Sequence, residues 1–347
     1  MSAPVRIRFM LAAAMAAVAV GVGHAAEADD AVARDAPYAQ AQQLVDVDHG
    51  RRLNLYCVGE GSPTVVFDAG LGGNTASWDT VQSVIAQHTS ACSYDRAGLG
   101  FSDPATRPGS SANIVDDLQR LLSAASIKPP YILVGHSYGG MNVRLYAYDH
   151  LADVAGMVLV DPSSEDEDSR ESQIDDQAEK EKSDQWRAKY LEDKHQCVDA
   201  AQSRRLVRGS VLYKQCMPES VTHWSDAMNT VMLRHSAEAA NQRAVLSEFE
   251  NLDTASADEL RAARRSLGDM PLIVLTRWPS PPGPDQTQER RDALNKLWAS
   301  LHDEIAAEST RGINRTVPGS GHFIQWDRPD VVVDSILEVL AETRKPQ

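Results

Sequence analysis

No Cys-x-x-Cys pair occurs in this chain, which has four cysteines in 347 residues. The cysteine spacing gives no support to a zinc site. Basic charge is also short. Lys and Arg number 34 against 49 Asp and Glu, for a formal net charge of −15. Such a field repels phosphate backbones and leaves no basic footprint for nucleic acid. Beyond the first residues, no run is apolar enough to cross a bilayer. No internal repeat is visible either, which argues against a solenoid.

The one long apolar run sits at the N-terminus. Arg6 and Arg8 precede Phe9–Val22, and the small residues Ala25 and Ala26 follow. A positive segment, a short apolar stretch and a small-residue cleavage site read as a secretory signal peptide over residues 1–26. The alternative is an uncleaved anchor. Export to the periplasm or beyond is expected, with no stable membrane insertion after cleavage. Downstream, Cys57, Cys92, Cys197 and Cys216 form an even set, which suggests two disulfides in an oxidising compartment. Three pairings are open.

The 42% hydrophobic content is enough for a sizeable core. Short β-rich runs alternate with helical or loop stretches from Val45 to Asp161, as in an α/β sheet. Strands are expected at Leu53–Val58, Thr64–Phe67, Ala91–Tyr94, Tyr131–Val134 and Met157–Val160. All but the first are short apolar runs of the kind buried on both faces of a parallel sheet. Ile114, Leu118, Leu121 and Leu122 recur at helical spacing in a helix over Ser111–Ser123. After Asp161 the pattern turns polar and helical. Strand character returns at Pro271–Thr276 and Asn314–Val317, and a helix follows from Pro329 to about Ala341, with proline in its first turn. An insertion over 162–270 is too long for a plain connection. It reads as a helical cap over a core of 38–161 and 271–347; a separately folding domain is the other option. The acidic run Glu165–Asp168 reads as a solvated hinge into it.

Chemistry concentrates at Gly135-His136-Ser137-Tyr138-Gly139-Gly140, between the strand Tyr131–Val134 and the helical segment Met141–Tyr148. A serine on a sharp strand-to-helix turn needs very small residues two before and two after it, and Gly135 and Gly139 meet that need. A serine hydroxyl also needs a base to take its proton. Among ten histidines, His322 has the best context, Gly319-Ser320-Gly321-His322-Phe323, between the last strand and the last helix. The His136 side chain should point away from the Ser137 hydroxyl. His195, His223, His235 and His302 lie in polar helical stretches and are expected at the surface.

In these motifs the chain resembles the α/β-hydrolase superfamily, over nearly all of the mature sequence outside the insertion. Val65–Gly73 looks like that family's oxyanion loop, with Ala69-Gly70 where a His-Gly pair usually stands. Tyr94–Asp103 is similar to its Asp-Arg-x-Gly-x-Gly-x-Ser segment. The resemblance implies a mostly parallel central sheet flanked by helices, with an inserted helical cap. It implies backbone N–H donors from Leu71 and Tyr138 for a developing oxyanion. The triad acid is open. The loop after the strand that follows the cap lacks a carboxylate close to the strand end. Asp161, at the strand before the cap, is the preferred candidate, ahead of Asp285, Glu289 and Asp292. Oxidised export favours a Cys197–Cys216 disulfide over a zinc site with His195 and His223. That leaves Cys57 with Cys92, whose strands are neighbours in the family's sheet. Trp186, Trp224 and Trp278 are expected as ordinary core.

The expected activity is cleavage of a small-molecule carboxylic ester by Ser137, with His322 as general base and no cofactor or metal. An amidase, thioesterase or acyltransferase would share the acyl-enzyme. A non-catalytic small-molecule binding protein would share the fold.

Overall fold

The computed structural model describes residues 34–283 and 286–344, so the expected signal peptide and Asp285 lie outside the described residues. Among the described residues one sheet has eight strands: β1 (Gln43–Asp48), β2 (Arg51–Val58), β3 (Thr64–Asp68), β4 (Ala91–Tyr94), β5 (Tyr131–His136), β6 (Val154–Val160), β7 (Leu272–Arg277) and β8 (Gly312–Val317). Their order is β1-β2-β4-β3-β5-β6-β7-β8. The first two pairings, β1 with β2 and β2 with β4, are antiparallel; the rest are parallel.

Helices α1 (Gln82–Ile85), α2 (Ser111–Ala124) and α3 (Tyr138–Asp149) connect the early strands. Between β6 and β7 come α4 (Glu167–Ile174), α5 (Gln177–Gln202), α6 (Val211–Cys216), α7 (Asp226–Ser236), α8 (Ala239–Asn251) and α9 (Ala257–Ala263). A π turn at Leu252–Ser256 joins the last two. The chain closes with α10 (Gln288–Ala306), α11 (Ile324–Asp327) and α12 (Pro329–Thr343).

Strands β3, β4 and β5 are buried at every position, which is why their sequences run apolar rather than alternate. Successive residues feed opposite faces. Val66, Leu133, Leu159 and Val274 join a core with α2 and α3. Val65, Phe67, Val134, Val160 and Leu275 join a second core with α12. Cys57 stands directly opposite Cys92 across the β2–β4 pair and is disulfide-bonded to it. A second disulfide, Cys197–Cys216, ties α5 to the end of α6. No helix among the described residues is long and apolar enough to cross a membrane.

Four expectations need correction. Helix α10 has no counterpart in the expected elements, although Trp298, Leu301, His302 and Ile305 bury one face at helical spacing. His302 is accordingly 1% exposed rather than at the surface, its ring nitrogens within hydrogen-bonding range of Thr276 Oγ1 and the Pro162 carbonyl. His223 and His235 are also more buried than expected, and His195 is exposed. Glu165 is no solvated hinge residue. It is buried, and it pairs with Arg144 and Arg264, because a carboxylate leaving water needs cations in exchange. Trp278 is half exposed and therefore not core.

Candidate active site

Strand β5 runs directly into Ser137, which holds φ +52° and ψ −121° at the N-cap of α3. A non-glycine residue there stores about 1–3 kcal/mol of strain, which the neighbouring backbone must hold in place. The Ser137 amide donates to the Val160 carbonyl at 3.2 Å, and the Ser137 carbonyl accepts from Gly140 at 2.8 Å and Ser163 at 3.0 Å. Tight packing explains the glycines. A Cβ on Gly135 would stand 2.5 Å from the Gly139 carbonyl oxygen, and one on Gly139 would stand 2.3 Å from that of Asp68. On Gly140 it would meet Pro162 at 2.5 Å.

The loop after β3 lies against this turn. A Cβ on Gly70 would approach Ser137 Cβ to 3.2 Å and His136 Nδ1 to 2.8 Å. Leu71 follows Gly70, and Tyr138 opens α3. Among the described residues neither backbone amide has a protein acceptor. The Tyr138 side chain turns into the core, where its hydroxyl donates to the Gly109 carbonyl at 2.7 Å and also meets Ser256.

At the ends of β6 and β8 the structure brings Asp161 and His322 together. His322 Nδ1 and Asp161 Oδ2 are 2.6 Å apart. Asp161 is fully buried and receives three further hydrogen bonds: from the Arg277 amide (3.0 Å), Arg277 Nη1 (2.8 Å) and Trp298 Nε1 (2.7 Å). Burial alone would push its pKa up. The Arg277 charge and the His322 contact outweigh that and hold the carboxyl well below the usual range. The Arg277 guanidinium lies 4.0 Å from the Trp298 ring centroid. Glu289 and Asp292 are exposed on α10 and are not part of this cluster.

His136 sits on the other side of His322, with ring centroids 4.7 Å apart. Its Nε2 is 2.9 Å from the His322 carbonyl oxygen. Burial, then the neighbouring His322, depress its pKa to about 3, so it is neutral at ordinary pH. It braces the histidine loop without adding charge.

A buried ionic cluster grips the β3 loop from behind. Arg96 donates to Asp68 (2.7 Å) and to the carbonyls of Ala69 (2.6 Å) and Gly70 (2.7 Å). It also pairs with Glu248 of α8 at 2.7 Å, and Glu248 accepts from the Gly72 amide at 2.7 Å. A residue of the insertion thus fixes the amide next to Leu71. Arg96 belongs to a segment already recognisable in the sequence. Arg277 directly follows an expected strand, and Trp298 lies in a readable helical period. Glu248 carries no sequence signal. A cavity of about 510 Å³ between α8 and the 104–109 segment is lined in part by Arg96 and Glu248, and neither Ser137 nor His322 is among its lining residues.

The four cysteines are all in disulfides, which removes them as metal ligands. Among the described residues no group of three or more His, Cys, Asp or Glu side chains is arranged to hold a metal ion.

A model of the alpha/beta hydrolase family matches residues 65–335, a span that includes the β3 loop, the serine turn, Asp161 and His322. The chain belongs to the alpha/beta hydrolase family. This alpha/beta hydrolase is 27% identical over 281 residues to the uncharacterized protein YqjL of Bacillus subtilis, covering 81% of this chain and 85% of that one. The epoxide hydrolase CorEH has the same fold at TM-score 0.62 and 15% identity, over 88% of this chain and 100% of the other. A probable hydrolytic enzyme from Pseudomonas aeruginosa PAO1 aligns at TM-score 0.59 and 19% identity, over 86% and 93%.

Proposed function

We propose that this alpha/beta hydrolase cleaves a carboxylic ester of a small molecule through an acyl-enzyme on Ser137. The observation that carries the reading is the 2.6 Å contact between His322 Nδ1 and buried Asp161, with the ring of His136, the residue before the strained Ser137, 4.7 Å from that of His322. With Nδ1–H donating to Asp161, the imidazole is held in the tautomer whose Nε2 can accept a proton. His322 then takes the Ser137 proton as the oxygen attacks the carbonyl carbon. The amides of Leu71 and Tyr138 receive the oxyanion, and each such donor is worth about 3 kcal/mol of barrier. His322 returns the proton to the departing alcohol and takes another from the water that releases the acid. The helices of 162–270 act as the cap whose inner side selects the substrate.

Labelling with a fluorophosphonate, read by intact mass, tests the assignment beside turnover of an activated ester. The parent is expected to label once per chain and Ser137→Ala not at all. Asp161→Asn is expected to slow both reactions about 10²–10⁴-fold, because the amide no longer enforces the tautomer. A folded parent that neither labels nor turns over ester would overturn the catalytic reading and favour a binding protein of the same fold.

A further inference from the structure

The exposed tip of the insertion differs from the rest of this acidic protein. From Ala200 to Pro218 there is no Asp or Glu, while Arg204, Arg205, Arg208 and Lys214 are all exposed. Most arginines elsewhere in the fold sit in ion pairs: Arg51 with Asp117, Arg96 with Glu248, Arg290 with Asp175. Among the described residues none of the four tip cations, and not Arg234 beside them, has a carboxylate partner. Arg208 and Arg234 line one surface hollow of about 210 Å³ together with Tyr213 and Thr230, a donor set suited to a phosphate group.

Beside these charges are Val207, 63% exposed, and Val211, 84% exposed, joined by a turn in which the Ser210 amide donates to the Val207 carbonyl. The Cys197–Cys216 disulfide closes the loop that carries them, so the tip is ordered before it meets anything. Charge alone would suit any polyanion. Exposed valines add nothing on a hydrophilic polymer, but at a lipid interface they leave water. The net charge of −15 opposes approach only at long range, since in physiological salt charges beyond about 8 Å are screened and the nearest ones dominate.

We propose that the 204–214 tip docks this hydrolase on an anionic lipid surface. Headgroup phosphates seat between Arg208 and Arg234, and Val207 and Val211 enter the headgroup boundary. This is peripheral adsorption, not insertion of a span, and it does not depend on the reaction assigned to Ser137.

Flotation of the purified protein with vesicles tests it, using equal parts phosphatidylglycerol and phosphatidylcholine against phosphatidylcholine alone. Binding to the anionic vesicles is expected to exceed binding to the neutral ones at least about tenfold and to fall in high salt. An Arg204→Glu/Arg208→Glu variant should lose about tenfold or more of that binding. Val207→Ser/Val211→Ser should lose several-fold at unchanged salt dependence. Both should keep the parent's turnover of a soluble ester. Equal flotation with both vesicle types, or none, overturns the proposal. So does undiminished binding by the valine variant combined with displacement by heparin, which would assign the tip to a hydrophilic polyanion.

Discussion

Helices α3 and α5 are held by different forces. Every residue of α3 from Tyr138 to Tyr148 is buried, so the helix that follows Ser137 is locked into the sheet core along its length. The 26 residues of α5 bury only Cys197, Val198 and Ala200. Its other ties include an ion pair from Arg187 to Asp253, aromatic contacts of Trp186 and Tyr190 with Phe249, a His195–Glu250 contact at 3.5 Å and the disulfide to α6. The sheet core is stabilised by removing apolar surface from water, whereas α5 relies mainly on polar and aromatic contacts and a covalent link. The strained turn thus rests on a helix buried along its length. The core and the insertion meet through apolar residues of the insertion that join the sheet core, Ala257, Leu260 and Leu267, and through buried ionic contacts such as Glu248 with Arg96 and Glu165 with Arg144.

The largest expected effect lies in the core. In Gly139→Ala the new Cβ would meet two backbone carbonyl oxygens, at 2.3 and 2.6 Å, and backbone cannot give way as a side chain can. A loss of at least about 4 kcal/mol is expected in denaturant unfolding, together with loss of turnover. If Gly139→Ala folded and worked like the parent, the core would be far softer than described.

Glu248→Ala tests the junction. It leaves Arg96 buried with less countercharge, at a cost of about 3–5 kcal/mol. It also frees the Gly72 amide, so kcat should fall about 10–100-fold with little change in KM. Glu248→Gln, which still offers an acceptor to Gly72, should recover part of kcat. A change confined to KM would instead place Glu248 among substrate contacts.

Replacing Cys197 and Cys216 by Ser should cost about 3 kcal/mol from loop closure over a separation of 19 residues. The loss should be local. Hydrogen exchange should speed up across 198–215 and stay slow in β3, β5 and β6, and uniform loss of protection would show that the insertion and the core unfold as one unit.

Acid probes the core again. Burial lowers His136 to about 3 and His302 to about 4, from 6.5. Both are neutral in the folded state where the unfolded chain would protonate them. Stability is therefore full above about pH 6.5 and declines as pH falls toward the folded values. His302→Gln should flatten that decline by about 2–3 kcal/mol near pH 4. An unchanged slope of stability against pH would remove His302 from this account.

Gly209→Ala should do least. Its site has φ +88° and open space around the missing Cβ, so about 1 kcal/mol of backbone cost is all that is expected, as a small shift in Tm.

The expected strands are found, with ends shifted by a few residues; the inner ones are legible because a β-strand buried on both faces must be written in apolar residues. The serine turn was equally legible: close packing at a sharp bend admits only glycine, and glycine is visible in a sequence. The carboxylate that meets His322 was less so. Asp161 could be named only among rivals, since nothing local distinguishes a carboxylate that ends a strand from one that meets a histidine 161 residues later. Helix α10 had a readable period in Trp298, Leu301, His302 and Ile305, but polar residues surround them in the sequence. His302 and Glu165 were misjudged because their polar neighbours in sequence say nothing about a partner from another element.

By itself the sequence determined the alternation of strands and helices, the place of the strained serine, and the location of a long helical insertion. These depend on periodicity and on the bulk of adjacent residues, both local properties. Only the tertiary structure decided that Arg277 and Trp298 share the carboxylate with His322, that Glu248 reaches the amide after Leu71, and that the cations of 204–214 have no carboxylate partner among the described residues. Pairing of charges depends on distances between segments far apart in the chain, and those distances exist only once the apolar core has closed.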